Sequence, residues 1–131
     1  MGANFLIDTN AGIDFLNGKL PAASTAWLDH LLDTRQLAMS VVVRIELLSW
    51  RTSSEGMRSL ENFIAATEVL PLDEPVVVQT IALRQQHRVK LPDAIIAATA
   101  LAHRLPLLTR NVGDFRALPG LAVINPHEDR A

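Results

Sequence analysis

The chain has 131 residues, 49% of them hydrophobic and 20% charged, which fits one folded domain and excludes a disordered chain. It contains no cysteine, which excludes disulfides, thiolate catalysis and cysteine-ligated zinc or iron–sulfur sites. The formal net charge of −2 argues weakly against a general nucleic-acid coat protein, although bound cations can supply local positive charge at a site.

Apolar runs in this chain are short. Two of the longest, residues 41–43 and 94–98, fall far below the roughly 20 residues that span a bilayer. Asp8, Asn10 and Asp14 interrupt the N-terminal region, so this region does not resemble a secretory signal. We therefore expect no membrane association and a cytoplasmic location, which a cysteine-free chain also fits.

In the first part of the chain, apolar runs that indicate strands alternate with segments that have helical spacing or capping residues. The predicted order is a strand at residues 4–7, helices over 11–16 and 23–33, a strand at 37–39, and a helix from 41 to about 51. Ser40 is the expected N-cap of the last of these helices, because its hydroxyl can accept a bond from a free backbone N–H.

The alternation continues to the end of the chain. The predicted order is a helix over about 55–67, a strand at 69–70, helices over 76–87 and 92–104, a strand at 105–108, a loop or short helical turn at 109–118, and a strand at 122–124. The strands lack the period-two alternation of a half-exposed sheet. The pattern therefore predicts an α/β fold whose parallel sheet is covered on both faces, with residues 1–125 as one domain and residues 126–131 as a short polar tail.

Four acidic residues are predicted to meet at one edge of that sheet. Asp8 and Asp114 follow predicted strands, and Asp93 lies at a helix start, where the topology delivers side chains to the carboxyl edge. Glu46 can lean toward the same edge, because helical side chains tilt toward the helix N-terminus. Like charges gathered there repel unless a cation neutralises them, and oxygen ligands alone favour Mg²⁺ or Mn²⁺. Such ions activate water against a phosphodiester.

Each acid also has a plainer interpretation when it is taken alone. Asp8 and Asp93 can cap the helices that follow them, and Asp114 can be a solvated turn residue. Glu46 can form a salt bridge with a neighbouring arginine, Arg44 or Arg51. These alternatives stay open at this level, because the convergence of the four acids depends on an inferred topology.

Basic and aromatic residues offer weaker signals. Lys90, Arg110 and Arg116 are close in sequence to two of the acids and are candidates for binding phosphates, with a solvated surface as the alternative. Trp27 and Trp50 are interpreted as core or subunit-interface residues. The four histidines show no metal-ligand spacing and are interpreted as surface or packing residues.

Three stretches of sequence carry a resemblance to a known family. They are LIDTN at residues 6–10, SVVVRIELL at 40–48 and LPDAIIAATALAHRLPLLTRNVGDF at 91–115, followed by the strand at 122–124. In order and separation they resemble PIN-domain ribonucleases, especially the VapC toxins of type II bacterial toxin–antitoxin systems and their FitB-like relatives. Gly12 departs from the family pattern, which often has a larger apolar residue there, and this predicts looser local packing.

The resemblance implies a PIN-like three-layer sandwich with a central five-stranded parallel sheet, and a homodimer. It also implies Mg²⁺- or Mn²⁺-dependent cleavage of RNA, and a cognate VapB-type antitoxin that blocks the site. The family's catalytic and metal-binding acids carry over as Asp8, Glu46, Asp93 and Asp114. Its supporting polar positions carry over as Thr9, Thr109 and Asn111.

Two other classes of function remain as alternatives. A haloacid-dehalogenase-like phosphohydrolase also begins with an aspartate after the first strand, but it needs a second acid two residues later, and that position is Asn10. A non-catalytic binding module of the receiver or antitoxin type would use the acids for ion-assisted folding or partner contact. A receiver needs paired acids after the first strand, which Asp8-Thr9 does not supply. The sequence therefore favours a divalent-metal-dependent endoribonuclease that hydrolyses RNA with a metal-activated water and acts as the toxin of a toxin–antitoxin pair.

Overall fold

A computed structural model describes residues 2–128, which form five strands and seven helices. The strands are β1 (Phe5–Ile7), β2 (Leu37–Ser40), β3 (Glu68–Leu70), β4 (Leu107–Leu108) and β5 (Val123–Ile124). The helices are α1 (Thr9–Leu16), α2 (Ala22–Asp33), α3 (Val41–Leu48), α4 (Ser54–Ala65), α5 (Glu74–Gln86), α6 (Leu91–His103) and α7 (Val112–Arg116).

All five strands are parallel and lie in the order β3-β2-β1-β4-β5. In the central strand β1, Leu6 pairs with Ala38 on one side and with Leu107 on the other. Leu6 and Ile7 point to opposite faces of the sheet, and both are fully buried, so helices cover both faces. The predicted α/β fold with a five-stranded parallel sheet is confirmed.

The chain builds outward from β1 in two directions, first through β2 to β3 and later through β4 to β5. The order of the strands reverses between β1 and β4. A crevice forms outside the carboxyl ends of the strands at such a reversal, and this is where open α/β sheets bind ligands. The residues that directly follow these two strands are Asp8 and Thr109.

Side-chain caps determine where several helices begin. Asp8 accepts from the N–H of Ala11 at 2.9 Å, and Ser40 accepts from the N–H of Val42 at 3.1 Å. Each such cap stabilises its helix by about 1 kcal/mol. The predicted cap at Ser40 and the predicted capping role of Asp8 are therefore both confirmed.

Helix α3 ends at Leu48 and not near residue 51, as the sequence predicted. Ser49 donates from its hydroxyl to the Ile45 carbonyl at 2.6 Å, and the N–H of Trp50 bonds the carbonyl of Leu47 in a tighter turn. These bonds satisfy carbonyls at the end of the helix, so the chain can leave it there.

Gly12 of α1 lies against α4. A Cβ atom at this glycine would lie 3.3 Å from Cε2 of Phe63, whose ring also packs against Phe15 with 5.8 Å between ring centroids. The ring of Phe63 fills the space that a larger residue at position 12 would need. The looser packing predicted at Gly12 is therefore wrong.

The predicted tail at residues 126–131 lies partly outside the described residues. Within them, Pro126 is buried and His127 contacts Asp14, so this part of the chain packs against the domain. The division at residue 125 stays a prediction. No helix in residues 2–128 is long and apolar enough to cross a bilayer.

Candidate active site

Three of the four predicted acids line one cavity of about 220 Å³ at the carboxyl edge of the sheet. Asp8 comes from the end of β1, Glu46 from α3 and Asp93 from the first turn of α6. The remaining lining residues are Thr9, Asn10, Ile13, Trp50 and Ile96. Side chains from three distant parts of the sequence therefore meet here, as the topology predicted.

Asp8 is the most buried of these acids, with 6% of its surface exposed. Its Oδ1 accepts from the backbone N–H of Ala11, and its Oδ2 accepts from the hydroxyl of Thr109. Burial raises the pKa of Asp8 to about 6, although both hydrogen bonds and the nearby Arg110 act in the opposite direction. The helix cap and the site carboxylate are thus the same group, so capping does not compete with a role in the site.

Asp93 is half-buried, and its pKa is raised above the usual value. Burial is the largest cause, and repulsion from the carboxylates of Glu46 and Asp114 follows, while Lys90 lowers the pKa. Since such repulsion falls off with distance, Asp114 lies within electrostatic range of Asp93 even though it does not line the cavity. The first turn of α6 also places Asp93 where the helix dipole favours negative charge.

Glu46 and Asp114 are each held by a polar neighbour. Thr9 donates from its hydroxyl to Oε1 of Glu46 at 2.5 Å, and the side-chain amide of Asn111 donates to Oδ2 of Asp114 at 2.9 Å. Within residues 2–128, Glu46 forms no salt bridge with a neighbouring arginine. The simple salt-bridge interpretation of Glu46 is therefore not supported. Asp114, on α7, is exposed to solvent.

The three polar residues expected to support the acids all contact them. Thr9 bonds Glu46, Asn111 bonds Asp114, and the buried Thr109 bonds Asp8. The backbone N–H of Asn111 also donates to the Thr109 hydroxyl at 3.0 Å, which orients that hydroxyl toward Asp8. These bonds restrict the rotamers of three of the four acids.

The basic residues differ in their placement. Lys90 and Arg110 lie close enough to lower the pKa of Asp93 and of Asp8 respectively. Arg110 is not a free surface cation, because its Nη1 lies 3.1 Å from Oδ2 of Asp14. Arg116 is exposed at the end of α7, and the described residues show no bond between it and the acids.

Two features of the site were missed from the sequence. Asp14 is buried and has His127 Nε2 at 2.7 Å, a contact between residues 113 positions apart that no local pattern indicates. Trp50 lines the acid cavity with 49% of its surface exposed, so it is not a core residue, and its interpretation as a subunit-interface residue stays a prediction. Trp27 does pack in the core region, edge-on against Phe5 with 5.0 Å between ring centroids.

The donor set of the cavity fits a hard, hydrated cation. Among residues 2–128, no three acidic or histidine side chains already form a complete metal cage. Mg²⁺ needs no such cage, because it keeps several of its waters and is bound in proteins through one or two carboxylates. The mutual repulsion that raises the pKa of Asp93 would be relieved by a cation. Carboxylate and hydroxyl oxygens line the cavity, with neither thiolate nor imidazole among them.

The chain matches the family described as PIN domain over residues 5–121. Ribonuclease VapC19 of Mycobacterium tuberculosis is 33% identical over 121 residues, which cover 88% of this chain and 95% of that protein. Toxin FitB of Neisseria gonorrhoeae is 32% identical, covering 95% of this chain and 99% of that protein. A chain from a solved toxin–antitoxin complex of Klebsiella pneumoniae is 30% identical and superposes with a TM-score of 0.75, covering 96% of this chain and 100% of that chain.

The chain with this parallel α/β fold and acid-lined crevice therefore has relatives named Ribonuclease VapC19 and Toxin FitB. The chain belongs to the PIN-domain family, in its VapC and FitB branch of toxins. The resemblance that the three sequence stretches suggested is confirmed.

Proposed function

We propose that this protein is a divalent-metal-dependent endoribonuclease and the toxin of a toxin–antitoxin pair. The observation that carries the proposal is the meeting of Asp8, Glu46 and Asp93 in one cavity at the strand-order reversal. The relative named Ribonuclease VapC19 supports RNA as the substrate class, because it is 33% identical over most of both chains. The fold alone would not indicate the reaction.

In this proposal, Asp8, Glu46, Asp93 and Asp114 hold Mg²⁺ or Mn²⁺, directly or through bound water. When bound, the ion supplies an activated water and stabilises negative charge on the phosphodiester. The chain's own residues keep the carboxylates in place: Thr109 fixes Asp8, and Thr9 fixes Glu46. Such outer bonds typically change metal affinity or activity 10- to 100-fold when they are lost. No covalent enzyme intermediate forms.

Lys90, Arg110 and Arg116 are the proposed phosphate-binding residues. Lys90 and Arg110 are the better supported, because each lies within electrostatic range of an acid of the cavity. A negatively charged RNA backbone is repelled by the carboxylates, so cations at the edge of the cavity favour its approach. Arg116 is supported only by its position on α7, two residues after Asp114.

The proposed partner is a VapB-type antitoxin that covers the acid cavity. The occurrence of a chain 30% identical to this one in a toxin–antitoxin complex of Klebsiella pneumoniae supports a partner of this kind. We also propose a homodimer that acts in the cytoplasm. Large apolar side chains that a dimer could cover are exposed on the surface, including Ile45, Val78 and Ile81 at 59%, 56% and 52% exposure.

The test is RNA cleavage by antitoxin-free protein with Mg²⁺ or Mn²⁺, with chelator, and by an Asp93→Asn variant. Metal-dependent cleavage that the variant lacks is the expected result. Glu74→Gln is the matched control. Glu74 is the first-turn acid of α5, as Asp93 is of α6, but it lies outside the acid cavity. Hydrolysis of phosphomonoesters without RNA cleavage would instead support the phosphohydrolase, and metal binding without turnover a non-catalytic module.

A further inference from the structure

A second cleft, of about 590 Å³, opens beside the acid cavity and shares Asn10 with it. The other residues that line this cleft are Arg110, Asn111, Asn125 and His127. Every one of the five side chains carries an N–H donor group, and none is a carboxylate. The cleft therefore has the opposite chemistry to its neighbour: one cavity presents acids, and the adjoining one presents donors suited to an anion.

Asp14 of α1 contacts two of those donors, although it does not line the cleft itself. Its carboxylate is buried, and its Oδ2 accepts from Arg110 Nη1 at 3.1 Å and lies 2.7 Å from His127 Nε2. A carboxylate can only accept, so this ring nitrogen of His127 carries a proton. Burying an unpaired carboxylate is costly, so the two partners and Asp14 stabilise one another.

The arrangement leaves Arg110 able to bind a ligand. Its guanidinium carries five N–H donors in a planar fork, the bond to Asp14 uses Nη1, and half of the side chain is exposed. A free arginine loses much rotamer freedom when it binds, whereas this one is already restrained. The planar fork matches the geometry of two phosphate oxygens better than a lysine does.

We propose that this cleft binds an RNA phosphate next to the cleaved bond, with Arg110 as the phosphate contact and Asp14 as its positioning residue. The proposal rests on the nuclease function above and deepens it. An RNA strand places phosphates on both sides of any cleaved linkage, and Asn10 links the acid cavity to the cleft, so one strand can occupy both. The segment around His127 then completes the substrate site, although it lies after the last strand.

The test uses short oligoribonucleotides in which one phosphate at a time is replaced by a neutral methylphosphonate. In the unaltered protein we expect one linkage, adjacent to the cleaved bond, at which the replacement raises KM about tenfold, as the loss of a charge-assisted contact does. In Arg110→Ala the natural oligonucleotide should show the same rise, and replacement at that linkage should have no further effect. Arg58→Ala on the exposed face of α4 is the matched control.

Asp14 is tested through its coupling to Arg110. Asp14→Asn should raise KM with little change in kcat, and the double variant Asp14→Asn/Arg110→Ala should be no worse than Arg110→Ala alone, because Asp14 acts through Arg110. Should Asp14→Asn fail to fold, the methylphosphonate result with Arg110→Ala still decides the proposal. If replacement raises KM equally at every linkage in both the unaltered protein and Arg110→Ala, the cleft proposal is overturned. RNA cleavage in the same assay would still support the nuclease function.

Two further outcomes also overturn the cleft proposal. If Arg110→Ala weakens binding of the antitoxin protein but leaves the KM for RNA unchanged, the cleft belongs to the protein partner. If the unaltered protein cleaves no RNA with either metal, the nuclease function and the cleft proposal fail together. Because the first outcome retains cleavage and the second does not, the two failures are distinguishable.

Discussion

Thr109 donates a hydrogen bond from its hydroxyl to Oδ2 of Asp8, across 101 residues of sequence. The bond joins the carboxyl ends of β4 and β1, the two strands at which the strand order reverses. The other oxygen of Asp8 accepts from the N–H of Ala11. Both oxygens of this buried carboxylate are therefore oriented by the chain before any substrate arrives.

The first prediction concerns that bond. Thr109→Val keeps the shape of the side chain but removes the donor, so the charged form of Asp8 loses stabilisation and its pKa rises further. Activity at neutral pH should fall about 10-fold or more and recover partly at higher pH, because deprotonation is shifted upward. The measurement is the pH–rate profile, with Thr109→Ser as the matched control. Identical profiles for the valine and serine variants would contradict this role for the hydroxyl.

The second prediction concerns stability in the absence of metal. The pKa of Asp8 is about 6 in the folded protein, against 3.8 as the reference value. The folded state therefore holds the proton more tightly than the unfolded state. The binding of this proton by Asp8 stabilises the folded state fully below about pH 4. The stabilisation is lost as the pH rises through about 6, a change of about 3 kcal/mol in the free energy of unfolding. The raised pKa of Asp93 acts in the same direction.

Denaturant unfolding in the presence of chelator, at pH 5 and at pH 8, measures about half of this change, because the unfolded state has already lost most of its proton at pH 5. The free energy of unfolding should be lower at pH 8. A protein with the same free energy of unfolding at both pH values would show that burial does not raise the pKa of Asp8. Added Mn²⁺ should restore stability mainly at the higher pH, where the carboxylates are charged and able to bind it.

The third prediction separates stability from activity. Asp8→Asn is neutral, has nearly the same shape and can still accept from the N–H of Ala11. It should therefore unfold with a free energy about 1–2 kcal/mol higher than the unaltered protein at pH 8 in chelator, yet cleave no RNA. Thermal or denaturant unfolding beside an RNA assay checks both halves.

Asp73→Asn is the control for that variant, since Asp73 caps α5 in the same way but is exposed. It should change stability by less than about 1 kcal/mol and leave cleavage intact. A loss of stability in Asp8→Asn as large as in a core truncation would show that the charged form is needed for folding.

The fourth prediction concerns the contact between α1 and α4. Gly12→Leu places a side chain where the ring of Phe63 lies, so the free energy of unfolding should fall by about 1–3 kcal/mol through overpacking. Gly12→Leu combined with Phe63→Ala should lose less than the two single changes added together, because Phe63→Ala frees the space that the leucine then fills. Gly113→Ala is the control: a Cβ there meets open space. Additive losses in the double variant would show that the two residues do not compete for volume.

The fold could be predicted from the sequence because its signals are local. Apolar runs marked β1 and β2, Ser40 marked the start of α3, and the helix predicted over 76–87 begins two residues earlier, at Glu74. The meeting of Asp8, Glu46 and Asp93 was also predictable, since parallel strands deliver their carboxyl ends to one edge. Their roles as metal ligands and catalysts stay predictions.

Other features could not be predicted because they depend on packing between distant segments. The contact of Asp14 with His127 joins α1 to a loop after β5, and no spacing or composition indicates it. Trp50 lies two residues beyond the end of α3 at Leu48, and it is exposed. A tryptophan in an apolar stretch is otherwise expected to be largely buried.

The central position of β1 has a consequence for how this protein is made in the cell. On the proposed function, the ribosome delivers Asp8 early but Asp93 and Thr109 only late, and β4, which must lie beside β1, is among the last strands translated. A nascent chain that stops before α6 carries two of the four acids and lacks the hydroxyl that orients the first. On that function, a fragment that ends before α6 is therefore expected to cleave no RNA.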